Sequence, residues 1–257
     1  MPLLGGFRIA QLDSVFMARP RFLLERIPAP GGTAWLSRDE SRHALGSRRL
    51  GPGDPVDLVD GGGSVASARI GSDRDREGNL GAEVIEVRQV PRPHPSIHVA
   101  TAVPKGDRLS TLLDAAGELA VASLTPLDCE RGVVPAERLG GERSERILAE
   151  AMKQSRGAWC TTIRAPASPE AFARQARADG CTVLVLDAAG KPLAQMAEKS
   201  GAIALLVGPE GGFSDAELAR LDEAGAARAS LGSGILRIEM AVAAACGTIR
   251  AMHAATA

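Results

Sequence analysis

The chain has 257 residues, enough for one large domain or two modest ones, and its 45% hydrophobic content is ordinary for a protein with a buried core. Aromatic residues make up 3% and Tyr is absent, which argues against a surface that stacks several bases on aromatic rings. The formal net charge of −1 excludes a polycation. Residues 19–50 nevertheless hold seven Arg against three acidic residues, an excess typical of a phosphate-binding surface or of a solvated basic face.

Cysteine spacing and hydropathy narrow the class of protein further. The four cysteines lie far apart, with no C-x-x-C pair and no nearby His cluster, so we expect no metal site and no disulfide framework, but free thiols in a reducing cytoplasm. No apolar run reaches the ~18–20 residues of a membrane span, and we expect no signal peptide. We interpret residues 1–16 as an N-terminal extension, disordered if translated, because Met17-Ala18-Arg19 resembles a natural protein start.

Residues 17–92 are predicted to form a small β domain. An Asp-Gly-Gly-Gly sequence at 60–63 follows an alternating apolar pattern, which is a strong hairpin signal. Strands as closely spaced as these indicate a small barrel or a sandwich. The predicted strands cover residues 21–24, 56–59, 64–70 and 80–90, and a short helix is predicted over 39–50.

Pro91, Pro93 and Pro95 mark the predicted domain boundary, because each removes an amide donor and disfavours helix before it. Beyond them, strands alternate with helices, a pattern typical of a mainly parallel sheet with helices on its faces. We therefore predict an α/β domain over residues 95–257. Its predicted strands are 97–103, 181–186, 202–207 and 228–231, and its predicted helices are 109–119, 144–154, 169–178 and 239–252.

The first candidate ligand site is the GPEGG loop at residues 208–212, which joins a buried strand to a helix. Ser214 and Glu217 match the S-x-x-E capping box, which fixes the start of that helix. Glycines let a ligand approach the main chain closely, and ligands of open α/β sheets bind beyond the carboxyl ends of strands. The loop lacks the patterns of a P-loop and of a dinucleotide site. Taken alone, it could equally be a tight structural turn.

A second glycine-containing loop, LGSGILR at residues 231–237, follows the next predicted strand and precedes the last helix. Two neighbouring loops of this kind can enclose a small ligand largely with backbone groups. Arg237 and Glu239 add charges at the start of the helix. Their alternative interpretation is a salt bridge and a carboxylate that is favourable to the helix dipole.

The paired loops also carry a resemblance. LVGPEGGFSDAEL at 206–218, followed by LGSGILRIEMAVAA at 231–244, resembles the two signature loops of the 16S rRNA uridine-N3 methyltransferases, the ribosomal small-subunit methyltransferase E family. Residues 17–70 resemble that family's N-terminal domain, and VPKGD at 103–107 resembles the start of its catalytic domain. The similarity covers most of the chain.

The resemblance implies a PUA-like RNA-binding β-barrel, followed by a SPOUT-type parallel sheet with a C-terminal trefoil knot, in a homodimer. It also implies S-adenosyl-L-methionine as cofactor and methylation of N3 of a specific uridine in 16S ribosomal RNA. The partner would be the small ribosomal subunit, with no metal and no membrane. The residues implied for cofactor binding are Leu206, Gly208, Pro209, Glu210, Gly211, Gly212, Leu231, Gly232, Ile235 and Leu236.

Uracil N3 carries a proton, so its methylation calls for a base, which typically contributes roughly 10²–10⁴-fold. We predict Glu239 as the leading candidate and Glu210 as the second, with Arg237 stabilising negative charge on the uracil carbonyls. Because pairing hides N3, the target nucleotide must be unpaired or extruded. The residues predicted to bind RNA are Arg19, Arg21, His43, Arg48, Arg49, Arg131 and Arg156.

The chain departs from the family's pattern at several positions. Ser233-Gly234 replaces a Pro-Arg pair, Ile238 and Met240 stand where Thr is usual, and Asp114-Ala115 replaces a Gln-Lys pair. Two alternatives therefore stay open. The chain could be a divergent paralogue that methylates another RNA position or a ribose 2′-OH, or a non-catalytic RNA-binding assembly factor.

Overall fold

A computed structural model describes residues 19–197 and 201–254, the side chain at 254 excepted. The predicted extension at 1–16 and the alternative start at Met17 lie outside the described residues. The described chain forms two sheets, one before the proline-rich segment at 91–95 and one after it. No helix in this part of the chain is long and apolar enough to cross a membrane.

The elements before the proline-rich segment are β1 (Arg21–Leu23), β2 (Thr33–Trp35), α1 (Arg38–Leu45), β3 (Pro55–Val59), β4 (Ser64–Arg74) and β5 (Leu80–Gln89). The five strands lie in the order β1-β3-β4-β5-β2. β1 pairs with β3 in parallel, and the other pairs are antiparallel. The predicted hairpin is confirmed between β3 and β4, where Asp60 Oδ1 accepts hydrogen bonds from the amides of Gly62 and Ser64 at 2.8 and 2.9 Å.

This first sheet encloses one hydrophobic core, to which every one of its strands contributes alternate side chains such as Phe22, Leu58 and Val84. The four predicted strands are confirmed, and β2 is additional. The predicted helix is confirmed but ends at Leu45 rather than at residue 50. β1 and β2 are the two edges, and no pairing between them occurs in the described residues, so the closed barrel stays a prediction.

The second part of the chain forms a parallel sheet with helices on both faces. Its elements are β6 (Ser96–Thr101), α2 (Arg108–Glu118), β7 (Ser123–Pro126), a 3-10 helix (Ala136–Leu139), α3 (Glu142–Gln154), β8 (Thr162–Ile163), α4 (Pro169–Ala178), β9 (Thr182–Pro192), α5 (Leu193–Ala197), β10 (Ala202–Val207), α6 (Asp215–Glu223), β11 (Ala227–Ser230) and α7 (Ile238–Ala254). All six strands run parallel, in the order β11-β9-β10-β6-β7-β8. The predicted parallel α/β architecture is therefore confirmed.

Alternation along the central strand β10 divides the helices between the two faces. Ile203, Leu205 and Val207 point into a core shared with α2, α3, α5 and α7. Ala204 and Leu206 point into the opposite core, which α4 and α6 cover. Because the strands are parallel, their carboxyl ends lie at one edge of the sheet, where the loops after β10 and β11 emerge.

The predicted helices and strands of this part are confirmed, with shifts of a few residues at their ends. β7, β8 and α5 were not predicted, since each has five residues or fewer and shows no periodic pattern. β9 was predicted to end at residue 186 but continues to Pro192. That extension contributes to the site described next.

Candidate functional site

The 208–212 loop joins β10 to α6 and is anchored by the carboxylate of Glu217. The predicted capping box is confirmed: Ser214 Oγ accepts from Glu217 N at 3.0 Å, and Glu217 Oε2 accepts from Ser214 N at 2.8 Å. Glu217 is 3% exposed, and its Oε1 accepts from the amide of Glu130 at 2.9 Å. One buried side chain therefore connects the end of the loop to the segment that follows β7.

Two glycines of this loop are required by its shape. Gly212 has a φ of +69°, which is strained for any other residue. A Cβ on Gly208 would lie 3.0 Å from the ring of Phe213, which is itself buried. The amide of Gly212 donates to the carbonyl of Pro209 at 2.8 Å and closes the turn. The loop is therefore a compact turn closed by its own backbone.

Two arginines from distant parts of the chain hold the outer side of the same loop. Arg131 donates to the carbonyls of Gly211 and Phe213 at 2.9 and 3.3 Å. Arg108, at the start of α2, forms an ion pair with the carboxylate of Glu210. The acidic side chain of the loop is thus neutralised by a cation from a neighbouring helix.

The second loop, at 231–237, joins β11 to α7 and is more exposed. Gly232 has a φ of +118°, and its amide donates to Ser230 Oγ at 3.1 Å. Ile235 is 95% exposed and Leu236 is 42% exposed. Met240, in the first turn of α7, is 51% exposed. Together, Ile235, Leu236 and Met240 form an apolar surface beside the loop.

A third segment, residues 186–190, projects from the edge of β9. Val185 pairs with Arg228 and Lys191 pairs with Ala229, so the five residues between them are left out of the ladder. Asp187 holds this bulge by accepting from the amide of Ala189 at 2.8 Å and by pairing with Arg228 at 3.5 Å. Because the strand was predicted to end at residue 186, this wall of the site was not predicted.

The three segments enclose a cleft of about 370 Å³ at the carboxyl edge of the sheet. This volume lies in the range of about 300–1,000 Å³ that is usual for small-molecule sites. Of the residues predicted for cofactor binding, only Leu206 lies away from the cleft lining, since its side chain is fully buried in the core below α4 and α6. The others line the cleft: Gly208, Pro209, Glu210, Gly211, Gly212, Leu231, Gly232, Ile235 and Leu236.

The three predicted catalytic residues are placed differently. Glu210 lines the cleft. Arg237 is exposed and Glu239 is 4% exposed, and they flank Ile238, which does line the cleft. Glu239 Oε2 is buried without a hydrogen-bond partner in the described residues. A buried carboxylate oxygen of this kind is costly unless a donor reaches it.

The predicted RNA-binding residues fall into an exposed group and an engaged group. Arg19, His43, Arg48 and Arg49 are exposed on the first part of the chain. Arg48 Nε lies 3.4 Å from His43 Nε2. Arg131 is engaged with the 208–212 loop, as described above.

Arg21 is a correction, because the structure does not present it to a phosphate. Its side chain is 7% exposed, and it donates to the carbonyl of Gly157 at 2.9 Å and contacts Asp57 at 3.4 Å. Burial lowers its pKa, although Asp57 opposes this effect. Arg156 also binds Asp57, at 3.1 Å, so both arginines join the first sheet to the end of α3.

The cysteines behave as apolar side chains. All four are free; Cys246 is buried and the other three are half-buried. Burial raises the pKa of the Cys129 and Cys246 thiols to about 12, so both are protonated at neutral pH. Within the described part of the chain, no group of three or more His, Cys, Asp and Glu is arranged to hold a metal ion.

Comparison with known proteins agrees with this architecture. Residues 91–250 match the family model described as RNA methyltransferase domain. Over 237 residues the chain is 31% identical to the ribosomal RNA small subunit methyltransferase E of Mycobacterium bovis, covering 89% of this chain and 90% of that one. The enzyme of the same name from Synechocystis is 29% identical, with coverages of 79% and 68%.

A solved structure is similar over almost the whole chain. The ribosomal RNA small subunit methyltransferase E from Neisseria gonorrhoeae, bound to S-adenosyl methionine, superposes with a TM-score of 0.81 at 28% identity. The match covers 91% of this chain and 98% of that one. Family model, sequence and fold coincide, and the chain belongs to the ribosomal RNA small subunit methyltransferase E family of RNA methyltransferases.

Proposed function

We propose that this protein binds S-adenosyl-L-methionine in the cleft and methylates N3 of a specific uridine in 16S ribosomal RNA of the small ribosomal subunit. The observation that carries the proposal is the cleft itself, in which two glycine loops and a strand bulge meet at the carboxyl edge of a parallel sheet. The family to which the chain belongs supports the same activity.

The residues of the cleft fit an adenosyl ligand. Glycines at 208, 211, 212, 232 and 234 leave main-chain groups accessible to a ligand. Leu186, Leu231 and Leu236 offer apolar contact for a base. S-adenosyl-L-methionine, when bound, would supply an electrophilic methyl group. The chain's part is to hold the ligand and to exclude water from it.

Glu239 is the residue that we assign as base. Its Oε2 is a buried acceptor without a donor in the described residues, and the N3–H of uracil is a donor of the required kind. The side chain lies in the first turn of α7, next to Ile238, which lines the cleft. Accepting the N3 proton would leave negative charge on the uracil carbonyls, and the exposed Arg237 is the nearest cation along the chain to stabilise it.

Glu210 is the weaker candidate for the base. It lines the cleft, but its carboxylate is already paired with Arg108. We therefore assign Glu210 to the positioning of the 208–212 loop.

RNA would be held by the first part of the chain, which we propose to be a PUA-like β-barrel. Arg19, Arg48 and Arg49 are exposed there, and Arg suits contacts to phosphate. His43 lies beside Arg48 and would contact the same strand. These groups would bind the nucleotides on either side of an extruded uridine.

Two further features of the family complete the proposal, a C-terminal trefoil knot and a homodimer. The apolar surface of Ile235, Leu236 and Met240 supports the dimer, because a surface of this kind is normally covered by a partner. Action on the small subunit would place the protein in the cytoplasm. Sedimentation equilibrium would test the dimer directly.

The decisive experiment is methylation in vitro of small subunits and of free 16S RNA that lack the modification. We expect one methyl group per RNA from S-adenosyl-L-methionine, located by mass spectrometry at N3 of one uridine. A methyl group at another position or on a ribose would favour the divergent paralogue. A folded protein that binds the RNA but not the cofactor would favour the assembly factor.

A further inference from the structure

A second cleft, of about 570 Å³, lies between α4 and the strands β6 and β7. Phe172 and Ala176 of α4 form one wall, and the sheet forms the floor. Its lining shares no residue with that of the first cleft. Ala202 at the start of β10 lines the second cleft and Gly208 beyond its end lines the first. At about 3.3 Å per residue, these two residues are roughly 20 Å apart along the strand.

Three polar side chains stand on the floor of this second cleft. His98 of β6 and Ser123 of β7 are register partners, with Nδ1 and Oγ 2.8 Å apart. Thr125 lies two residues further along β7 and therefore on the same face of the sheet. It is 3% exposed, and its Oγ1 is buried without a hydrogen-bond partner in the described residues. The floor thus holds an unpaired hydroxyl that a ligand could satisfy.

The charges of the second cleft lie at its rim. Arg164 and Asp179 both line it and are exposed, and Asp179 accepts from Gln175 Nε2 at 2.9 Å. Burial lowers the pKa of His98, and the charge of Arg164 lowers it further. The imidazole is therefore neutral near pH 7. Because Nδ1 is engaged with Ser123, only Nε2 is left to bond a ligand, as donor or acceptor according to the tautomer.

We propose that the second cleft binds a nucleobase-like heterocycle, whose edge bonds to Thr125 and His98 and whose face contacts Phe172. An aliphatic ligand would leave the hydroxyl of Thr125 unpaired. Arg164 is placed to bind a phosphate attached to the heterocycle. The source is either a free nucleotide or a base of an RNA strand. The proposal does not depend on methyl transfer at the first cleft.

The test is calorimetric titration of the full chain with the four common ribonucleosides, their 5′-monophosphates and single-stranded RNA hexamers. We expect at least one to bind with a Kd at or below about 1 mM, unchanged by saturating S-adenosyl-L-methionine. Thr125→Val should weaken binding about three- to tenfold, whereas Thr125→Ser keeps the hydroxyl and should retain it. Arg164→Ala should weaken the monophosphates but not the nucleosides.

A pair of variants on one helix separates the cleft from the rest of the surface. Ala171→Trp fills the cleft and should abolish binding, while Ala178→Trp, exposed on the same helix outside the lining, should not. Thermal unfolding of each variant checks that it is folded. Only binding that Ala171→Trp abolishes is assigned to this cleft. If that part of the binding is tighter for a hexamer than for any monophosphate, the site is assigned to RNA, and the reverse assigns it to a free nucleotide. The proposal is wrong if no probe binds up to about 5 mM, if S-adenosyl-L-methionine displaces the ligand, or if Ala171→Trp changes nothing.

Discussion

The two glycine loops that form the first cleft are held in place very differently. The 208–212 loop is fixed from several sides by Glu217, Arg131 and Arg108, and Phe213 packs beneath it. The 231–237 loop has Ile235 almost fully exposed and is joined to its own strand by Ser230. We infer that the first loop is preorganised, whereas the second acquires its packing from a ligand or a second copy of the chain.

The largest expected effect belongs to the side of the cleft that the 231–237 loop and α7 form. Glu239→Gln keeps the shape of the side chain but removes the base that we assign, so the turnover number should fall about 100-fold or more. Single-turnover methylation of 16S RNA measures this rate, and Glu223→Gln, at an exposed position of α6, is the matched control. Normal turnover in Glu239→Gln would remove this residue from the reaction.

On the side formed by the 208–212 loop, the largest effect is expected on stability. Glu217→Ala leaves the amides of Ser214 and Glu130 without their acceptor, and should lower the free energy of unfolding by about 2 kcal/mol. Urea denaturation measures this, and Glu223→Ala on the same helix should change it by less than about 0.5 kcal/mol. Equal stability of the two variants would show that the loop does not depend on this anchor.

A smaller effect is expected from Arg131, which binds the outer side of the same loop. Arg131→Ala removes two hydrogen bonds to loop carbonyls, and should weaken cofactor binding about five- to tenfold. Calorimetry with S-adenosyl-L-methionine measures the change, against Arg138→Ala in the 3-10 helix as control. An unchanged Kd would mean that Glu217 and Phe213 are sufficient to shape the loop.

The smallest effect on stability is expected at the 231–237 loop. Ile235→Ser should change the free energy of unfolding by less than about 0.5 kcal/mol, because the side chain is 95% exposed. It should still raise the dissociation constant of the proposed homodimer, measured by sedimentation equilibrium. A clear loss of folding stability without a change in association would contradict the contrast between the loops.

Local chemistry explains what the sequence could predict of this site. The capping box of Ser214 and Glu217 and the glycine positions depend only on neighbours along the chain, and the structure has the helix start where they place it. The strand–helix alternation depends on hydrophobic periodicity, which the parallel sheet satisfies. Features that depend on local sequence pattern could therefore be predicted from the sequence.

Features set by distant partners were not accessible. The 186–190 bulge exists because β11 pairs with β9 on either side of it, a match between segments far apart in sequence. Gly190 lies so close to β11 that a Cβ would be 2.6 Å from Ala229 N, yet nothing beside Gly190 in the sequence shows this. Arg21 was predicted to bind RNA. Its actual partner, the carbonyl of Gly157, lies 136 residues away, so no residue near Arg21 in the sequence indicated this contact.

The contacts around Asp57 have a consequence for which RNA the protein would bind. Arg21 and Arg156 meet on this carboxylate, and Lys153 of α3 binds Glu40 of α1 at 2.7 Å beside it. These contacts fasten the first sheet to α3 and so restrict the separation between the exposed arginines and the first cleft. The protein would then accept only an RNA in which the distance between the bound phosphates and the extruded base matches this separation.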